Sequence, residues 1–243
     1  MQATFVFRIV SADVLRPDVG PSKQFERSMP GPRPSPVESD LNLPKSVEVV
    51  VIGGGIIGVS TAFELARRGR SVLLCEKGRI AGEQSSRNWG WVRLAMRDPR
   101  EIPLMQESIR IWENLDTRIG RNTGYVQSGI VFGAATTKVE SQLNRWLRNL
   151  EGLGTGARMV LGPELEDLLQ GNTLGLSSGL YTPQDGRAEP QWAAPAIAEA
   201  ARHNGATVMT NCAVRSIDTQ DGRVSGVFTE RGRVACTQVV LAG

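Results

Sequence analysis

The first residues able to do chemistry are a cluster of glycines. Gly53, Gly55 and Gly58 stand in G-x-G-x-x-G spacing within Gly53-Gly54-Gly55-Ile56-Ile57-Gly58. Such a run suits the phosphates of a dinucleotide. Gly53 would let the chain turn sharply, Gly55 would bare its backbone to the diphosphate, and Gly58 would let a helix pack close on a strand. The helix N-terminus would then offer free N–H groups and a partial positive charge. Glu76 follows 23 positions after Gly53, where a carboxylate could accept both ribose hydroxyls and would repel a 2′-phosphate. The spacing alone is a weak signal, because any tight strand-to-helix turn can use it.

The flanking elements strengthen it. Val47 to Ile52 is too continuously apolar for a half-exposed strand and reads as a buried parallel one. Ile57 to Arg68 gives a helix with Ala62, Phe63, Leu65 and Ala66 on its apolar face, and Gly69 ends it. Ser71 to Glu76 is the next strand, so a βαβ unit closes within about 30 residues. A simple NAD domain would continue with another helix and strand of the same sheet. This chain instead enters a polar loop, Gly82 to Trp91, and a long excursion. Arg100–Ile119, Val139–Leu150 and Pro163–Leu169 look helical, and Tyr125–Ala135 looks like one or two strands broken at Gly129. Nucleotide-domain features return near Asp185, with a helix over Gln191–Asn204 and a strand over Ala206–Ile217. A hairpin (Val224–Phe228, Arg233–Cys236) and a buried strand running into Gly243 complete the chain.

The fold class expected is therefore α/β: a Rossmann-like, three-layer domain with a parallel sheet, interrupted by an α+β substrate or cap domain and incomplete at its C-terminus. The expected division is 1–46 as a disordered proline-rich extension, 47–97 and 185–243 as the nucleotide-binding domain, and 98–184 as the cap. Seven of the 13 prolines lie in the first 46 residues, a segment with no periodic apolar face. Met1–Val10 lacks the basic flank of a signal peptide, and Met29 is an alternative start.

Composition excludes other classes. Net charge is only +3 and aromatic content 5%, with Lys and Arg scattered, so neither a phosphate-tracking nor a base-stacking surface is expected and no nucleic acid partner follows. No apolar run approaches the ~20 residues of a membrane span. Cys75, Cys212 and Cys236 lack metal-ligand spacing and read as buried reduced thiols, which fits a cytoplasmic protein, with peripheral association at an inner membrane as the alternative. No metal site and no catalytic Ser/His/Asp set can be assembled, and His203, the sole histidine, reads as a surface residue.

Five stretches in order, VVVIGGGIIGVSTAFELARRG, VLLCEKG, GEQSSRNWGW, DGRAEP…NGATVMTNCAVRSID and TQVVLAG, resemble the D-amino-acid oxidase and dehydrogenase superfamily, with glycine oxidase and sarcosine oxidase as relatives. The resemblance spans Val47 to Gly243. It implies FAD as cofactor, and hydride transfer to the flavin from an amino acid or secondary amine, with oxygen or a quinone as final acceptor. It implies that Ile52, Gly53, Gly55, Ile56, Ile57 and Gly58 cradle the diphosphate. Glu76 and Lys77 would hold the adenosine side, and Val214 would meet adenine through its backbone. Ser85, Ser86, Asn88, Trp89, Gly90 and Trp91 would line the diphosphate and approach the flavin, while Ala242 and Gly243 would let the closing strand pass the cofactor.

Two alternatives stand open at the residue level. Trp89 and Trp91 either contact the flavin or pack between layers. Arg93 and Arg97 either fork onto a substrate carboxylate or are solvated surface residues. Relatives extend well beyond the closing strand, so the chain reads as truncated and is not expected to turn over substrate alone. An FAD-binding subunit that needs a partner chain, or a non-catalytic remnant, are the alternatives to an enzyme.

Overall fold

The computed structural model describes residues 33–243. In chain order, β1 (Val49–Ile52), α1 (Ile56–Arg67) and β2 (Val72–Cys75) precede β3 (Trp91–Val92), α2 (Ile102–Ile119), β4 (Ile130–Ala134) and α3 (Thr137–Arg148). Next come β5 (Arg158–Leu161), α4 (Gly162–Leu168), β6 (Ser178–Thr182), β7 (Gly186–Arg187) and α5 (Pro190–His203). The chain closes with β8 (Thr207–Met209), β9 (Val214–Gln220), β10 (Arg223–Thr229), β11 (Gly232–Ala235) and β12 (Gln238–Leu241). The elements form two compact units. One comprises residues 33–90, 114–125 and 188–243, the other Trp91–Glu113 and Val126–Arg187.

The first unit is built in three layers. Its middle layer is a parallel sheet in the order β12-β1-β2-β8. The period-2 alternation of strand side chains sorts its two faces. Val50, Leu73, Cys75 and Met209 pack with Val227, Val234, Cys212 and Cys236, so the antiparallel β9–β11 ribbon covers that face. On α1, Val59, Ala62, Phe63 and Ala66 are buried at the i, i+3, i+4, i+7 spacing of a helix stripe. The helix packs against α5, whose buried side chains are mostly alanine, and small side chains let two helix backbones approach.

Order begins earlier than the sequence reading allows. Residues 33–46 were expected to be disordered with the rest of the extension, yet they form a strap that meets β8 at Ser39 and Asp40 and β11 at Lys45 and Ser46. Asp40 N–H donates to Val208 O at 2.8 Å, and Val208 N–H donates back to Asp40 Oδ2 at 2.7 Å. Thr210 N–H donates to Ser39 Oγ at 3.1 Å. An open sheet edge leaves such groups bare, and the strap closes this one. It also repairs a helix defect. Pro195 lies inside α5 and has no N–H to give Gln191 O, the carbonyl four residues earlier. Ser35 N–H takes that carbonyl at 2.9 Å. Residues 1–32 lie outside the described residues, and with them the rest of the expected extension.

The other unit holds an antiparallel sheet in the order β4-β6-β5 and a two-stranded ladder of β3 with β7. Its core gathers Leu94, Ile102, Ile109, Leu143, Trp146 and Leu180. A satellite of Val160, Leu165, Leu169 and Leu176 fills the space under α4. Strands β5 and β6 have no counterpart in the sequence reading, because Ser-Gly-Leu-Tyr-Thr shows no apolar period although four of its five residues are buried. The strand expected over Ala206–Ile217 is instead two strands, β8 and β9, in different sheets. The break falls at Asn211, which adopts φ +47, a left-handed conformation that asparagine tolerates better than most residues. Among the described residues, no helix is long and apolar enough to cross a membrane.

The strap makes a stability prediction. Asp40→Ala leaves the Val208 amide without its acceptor and removes one of the carboxylates that hold Arg202, and is expected to destabilise the chain by about 1–3 kcal/mol. Deletion of residues 1–28 should leave the urea midpoint unchanged. A midpoint unaffected by Asp40→Ala would show that the strap is passive.

Candidate cofactor site

A cleft of about 300 Å³ opens where β1 gives way to α1. Gly53 turns the chain out of the strand with φ +114, a conformation that L side chains rarely adopt. A Cβ at Gly58 would stand 1.8 Å from Gly53 O, so only glycine lets the first turn of α1 settle on this bend. Gly55 differs. Its backbone is extended (φ −75, ψ 177), and a Cβ there would meet only Ser85 Oγ, at 3.1 Å. The backbone at Gly55 is thus bare to the cleft for lack of a side chain, not by conformational necessity.

Glu76 emerges from the end of β2 and is 8% exposed. Its Oε2 accepts from Gly54 N–H and its Oε1 from Gly78 N–H, both at 2.7 Å. A carboxylate offers about four lone-pair sites, so each oxygen keeps one for a ligand hydroxyl. Ser85, in a 3-10 turn (Gln84–Ser86), accepts from Ile56 N–H at 2.9 Å and so caps the start of α1. Lys77 is exposed and pairs with Glu83 at 3.7 Å.

The cleft wall brings together Gly53, Gly55, Ile56, Ile57, Glu76, Lys77, Ser85, Ala242 and Gly243 from the residues singled out in the sequence. It also includes Gly54, Gly82, Glu83 and Gln84, which lie in the quoted stretches but were given no role, and Ala81, which lies in none. Ala81 N–H donates to Gly54 O at 2.9 Å, with Ala81 itself at φ +57. That long-range bond carries the loop to the glycine turn, and no local pattern announces it.

The other named residues lie elsewhere. Ile52 and Gly58 form the floor beneath the turn. Ser86 is buried and hydrogen-bonds to Glu83 O. Asn88 staples its own loop, donating to Gln84 O and Ser85 O and accepting from Gly90 N–H. Gly90, at φ +72, leaves no room for a Cβ beside Ala188 O. Trp89 is 64% exposed. Val214 begins β9 and packs against the core beneath the parallel sheet. Trp91 belongs to the second unit, where it meets Phe132 edge to face, 5.7 Å between centroids.

That second unit holds a charged cluster. Arg93 stacks over the Trp91 and Phe132 rings, 5.6 and 5.8 Å from their centroids, and donates to Ala95 O. Arg97 is half-buried, and its Nε is buried with no hydrogen-bond partner. Neither is the solvated surface residue weighed above. Between them Leu94 N–H and Ala95 N–H donate to Asp185 Oδ1 and Oδ2 at 2.6 and 3.1 Å. Asp185 is fully buried. Burial pushes its carboxyl up to about 6, against the pull of the two amides and both arginines. Asp185 opens the quoted stretch DGRAEP, yet the sequence reading assigned it no role, since its partners lie some 90 residues away.

Comparison with known proteins decides the family. The family described as "DAO: FAD dependent oxidoreductase" matches residues 48–243. The chain belongs to this FAD-dependent oxidoreductase family. It is 29% identical over 204 residues to the mitochondrial pyruvate dehydrogenase phosphatase regulatory subunit of Mus musculus, covering 82% of this chain and 23% of that one. It is 27% identical to sarcosine oxidase subunit beta of an Arthrobacter species, covering 82% of this chain and 51% of the relative. Its fold matches L-amino acid deaminase from Proteus myxofaciens, solved with anthranilate, at TM-score 0.82 and 34% identity, covering 87% of this chain and 48% of the other. The chain therefore spans about half or less of the length of these relatives.

The cleft fits the family's cofactor on its own geometry. A bare backbone at Gly55, a helix N-terminus and a carboxylate with spare lone pairs are what a diphosphate and a ribose require. The glycines permit a clean test. Gly55→Ala should leave the stability of the cofactor-free chain within about 1 kcal/mol of wild type, yet abolish FAD binding in a fluorescence titration. Gly58→Ala should destabilise the cofactor-free chain itself, by about 1–3 kcal/mol. Wild-type FAD affinity in Gly55→Ala would remove the diphosphate from this face of the cleft.

Proposed function

We propose that the unit containing β1, α1 and β2 binds FAD, and that the whole protein uses it to oxidise the C–N bond of an amino acid or secondary amine. The observation that carries this reading is the bare Gly55 backbone at the head of α1, facing a cleft walled by Glu76. Gly53 and Gly55 to Ile57 would receive the diphosphate. Glu76 would take the ribose hydroxyls, with Lys77 on the adenine side and Ala242 and Gly243 where β12 ends against the turn. The remaining loop positions, Ser86 and Asn88 to Gly90, would hold Ser85 in place rather than meet the cofactor. Bound there, FAD would supply a two-electron acceptor for hydrogen removed from a carbon beside nitrogen.

This chain's own contribution is to bind and to orient. The partial charge of the α1 N-terminus offsets the diphosphate, and the acidic Glu76 disfavours a phosphorylated ribose. The unit containing β4 to β6 would serve the substrate. Arg93 and Arg97 would receive its carboxylate, because their two positive charges face a single buried acid. No side-chain acid or base is required by the reading, since the hydrogen leaves with its electron pair. Sarcosine oxidase subunit beta and L-amino acid deaminase, by name, act on substrates of this class. A second reading, an FAD-binding subunit without activity of its own, is favoured by the regulatory and beta subunits among the relatives.

Reconstitution separates the readings. The 243-residue chain should take up FAD with its visible absorbance, and Glu76→Gln or Glu76→Arg should weaken uptake by the ~1.5–3 kcal/mol of a charge-assisted bond. Glycine, sarcosine, proline and D- and L-amino acids are then added without oxygen. Bleaching by any of them assigns the enzyme and its substrate, and recovery on admitting oxygen, or only on adding a quinone, assigns the acceptor. FAD bound without bleaching places cofactor binding in this chain and turnover in a longer chain or a partner subunit. A chain that takes up no FAD overturns both.

A further inference from the structure

We propose that Asp185 is a positioning residue. By gripping the amides of Leu94 and Ala95 it sets where Arg93 and Arg97 present their guanidinium groups, and it leaves one positive charge of the pair unbalanced for a ligand carboxylate. This rests on the reading that Arg93 and Arg97 receive the substrate's carboxylate.

The geometry is that of a clamp built around one short turn. Both carboxylate oxygens of Asp185 are engaged by consecutive amides, those of Leu94 and Ala95. Arg97 N–H donates to Leu94 O at 3.1 Å, closing the turn, and Met96 within it takes φ +59. Arg93 donates to Ala95 O, so its guanidinium folds back over the same tripeptide. Trp146 Nε1 donates to Arg97 O at 2.8 Å and ties the far end of the turn to α3. Asp185 is itself held through its backbone. Gly129 N–H donates to Asp185 O at 2.8 Å, and Asp185 N–H donates to Thr182 O at 3.2 Å. Moving the carboxylate therefore moves the segment that carries both arginines.

A neutral side chain could cap a turn equally well, since serine and asparagine do so routinely. A fully buried carboxylate is expensive unless charge compensates it. The compensation here exceeds what one acid needs. Burial lowers Arg93, and the neighbouring charge of Arg97 lowers it further, while Asp185 restores only part of the balance. The buried Nε of Arg97 has no acceptor in the chain. An added carboxylate would supply both the missing acceptor and the missing charge.

The charge arithmetic gives a pH signature. The charged groups acting on Asp185 are Arg93 and Arg97, both from the turn, while Gly129 and Thr182, which hold its backbone, carry none. A carboxylate ligand on the arginines repels an ionised Asp185 and so favours its protonated form. By linkage, affinity for the ligand must rise as pH falls through about 6.

The test is calorimetric titration of the 243-residue chain with pyruvate, a 2-oxo acid that stays ionised between about pH 5 and about pH 7.5. Wild type should bind about tenfold tighter at the acid end; Asp185→Asn should lose this pH dependence, which isolates Asp185 from every other group titrating in the window, and should bind more weakly than wild type at the acid end, because one amide oxygen cannot accept from both N–H groups. Arg93→Gln and Arg97→Gln should weaken binding at every pH. If the arginine variants weaken binding but Asp185→Asn keeps the wild-type affinity and profile, the role of Asp185 is wrong and the carboxylate reading stands. If the arginine variants bind as wild type, or wild type binds no pyruvate, the carboxylate reading itself is wrong. Should Asp185→Asn fail to fold, Asp185→Ser, another neutral cap, takes its place, and a wild-type pH profile in that variant overturns the proposal.

Discussion

Glu76 is the residue on which the nucleotide unit turns. Its backbone N–H donates to Met209 O, and its carbonyl accepts from Cys212 N–H, each at 2.9 Å, so it joins β2 to both sides of the β8–β9 break. Its side chain reaches the other way, to the amides of Gly54 and Gly78. One residue thus spans the glycine turn, the end of β2 and the chain's passage from one sheet to the next. A charged group can hold so central a place because charge-assisted hydrogen bonds to backbone amides offset the cost of removing it from water. Enough acceptor capacity remains for a ligand, so the same carboxylate serves as a strut in the fold and as a wall of the cleft.

The unit around it depends on a second economy, the satisfaction of backbone groups that its own elements leave bare. Parallel strands need cover on both faces and both edges. The faces are covered by α1 and α5 on one side and by the β9–β11 ribbon on the other. The β8 edge is closed by the strap, through Asp40 and Ser39, and the strap also takes the carbonyl that Pro195 orphans in α5. Proline-rich and polar, that segment looks like linker. Its order comes from the acceptors and donors it meets, not from any apolar period of its own.

In the other unit the same logic produces an imbalance. Asp185 repairs two amides of a tight turn, but it does so amid two partly buried arginines, and the sum is a positive charge. Arg93 lies over the Trp91 and Phe132 rings and donates to Ala95 O, so its guanidinium is held by both ring faces and backbone.

How much of this was legible in advance follows from the range of the interactions. The sequence alone determined the βαβ unit, the glycine turn, a helix ending at Ile119 and the acid at Glu76. Each rests on contacts within about one turn or on the period of apolar residues, which are local properties of the chain. Only the tertiary structure decided that residues 33–46 are ordered, that β6 is a strand despite its irregular sequence, and that Asn211 splits one apparent strand between two sheets. It alone brought the Ala81–Gln84 loop to the cleft and set Asp185 against Leu94 and Ala95, some 90 residues away in sequence. These features arise from hydrogen bonds and charges whose partners lie far apart along the chain, and the energy of such a pair exists only once folding has removed the water between them.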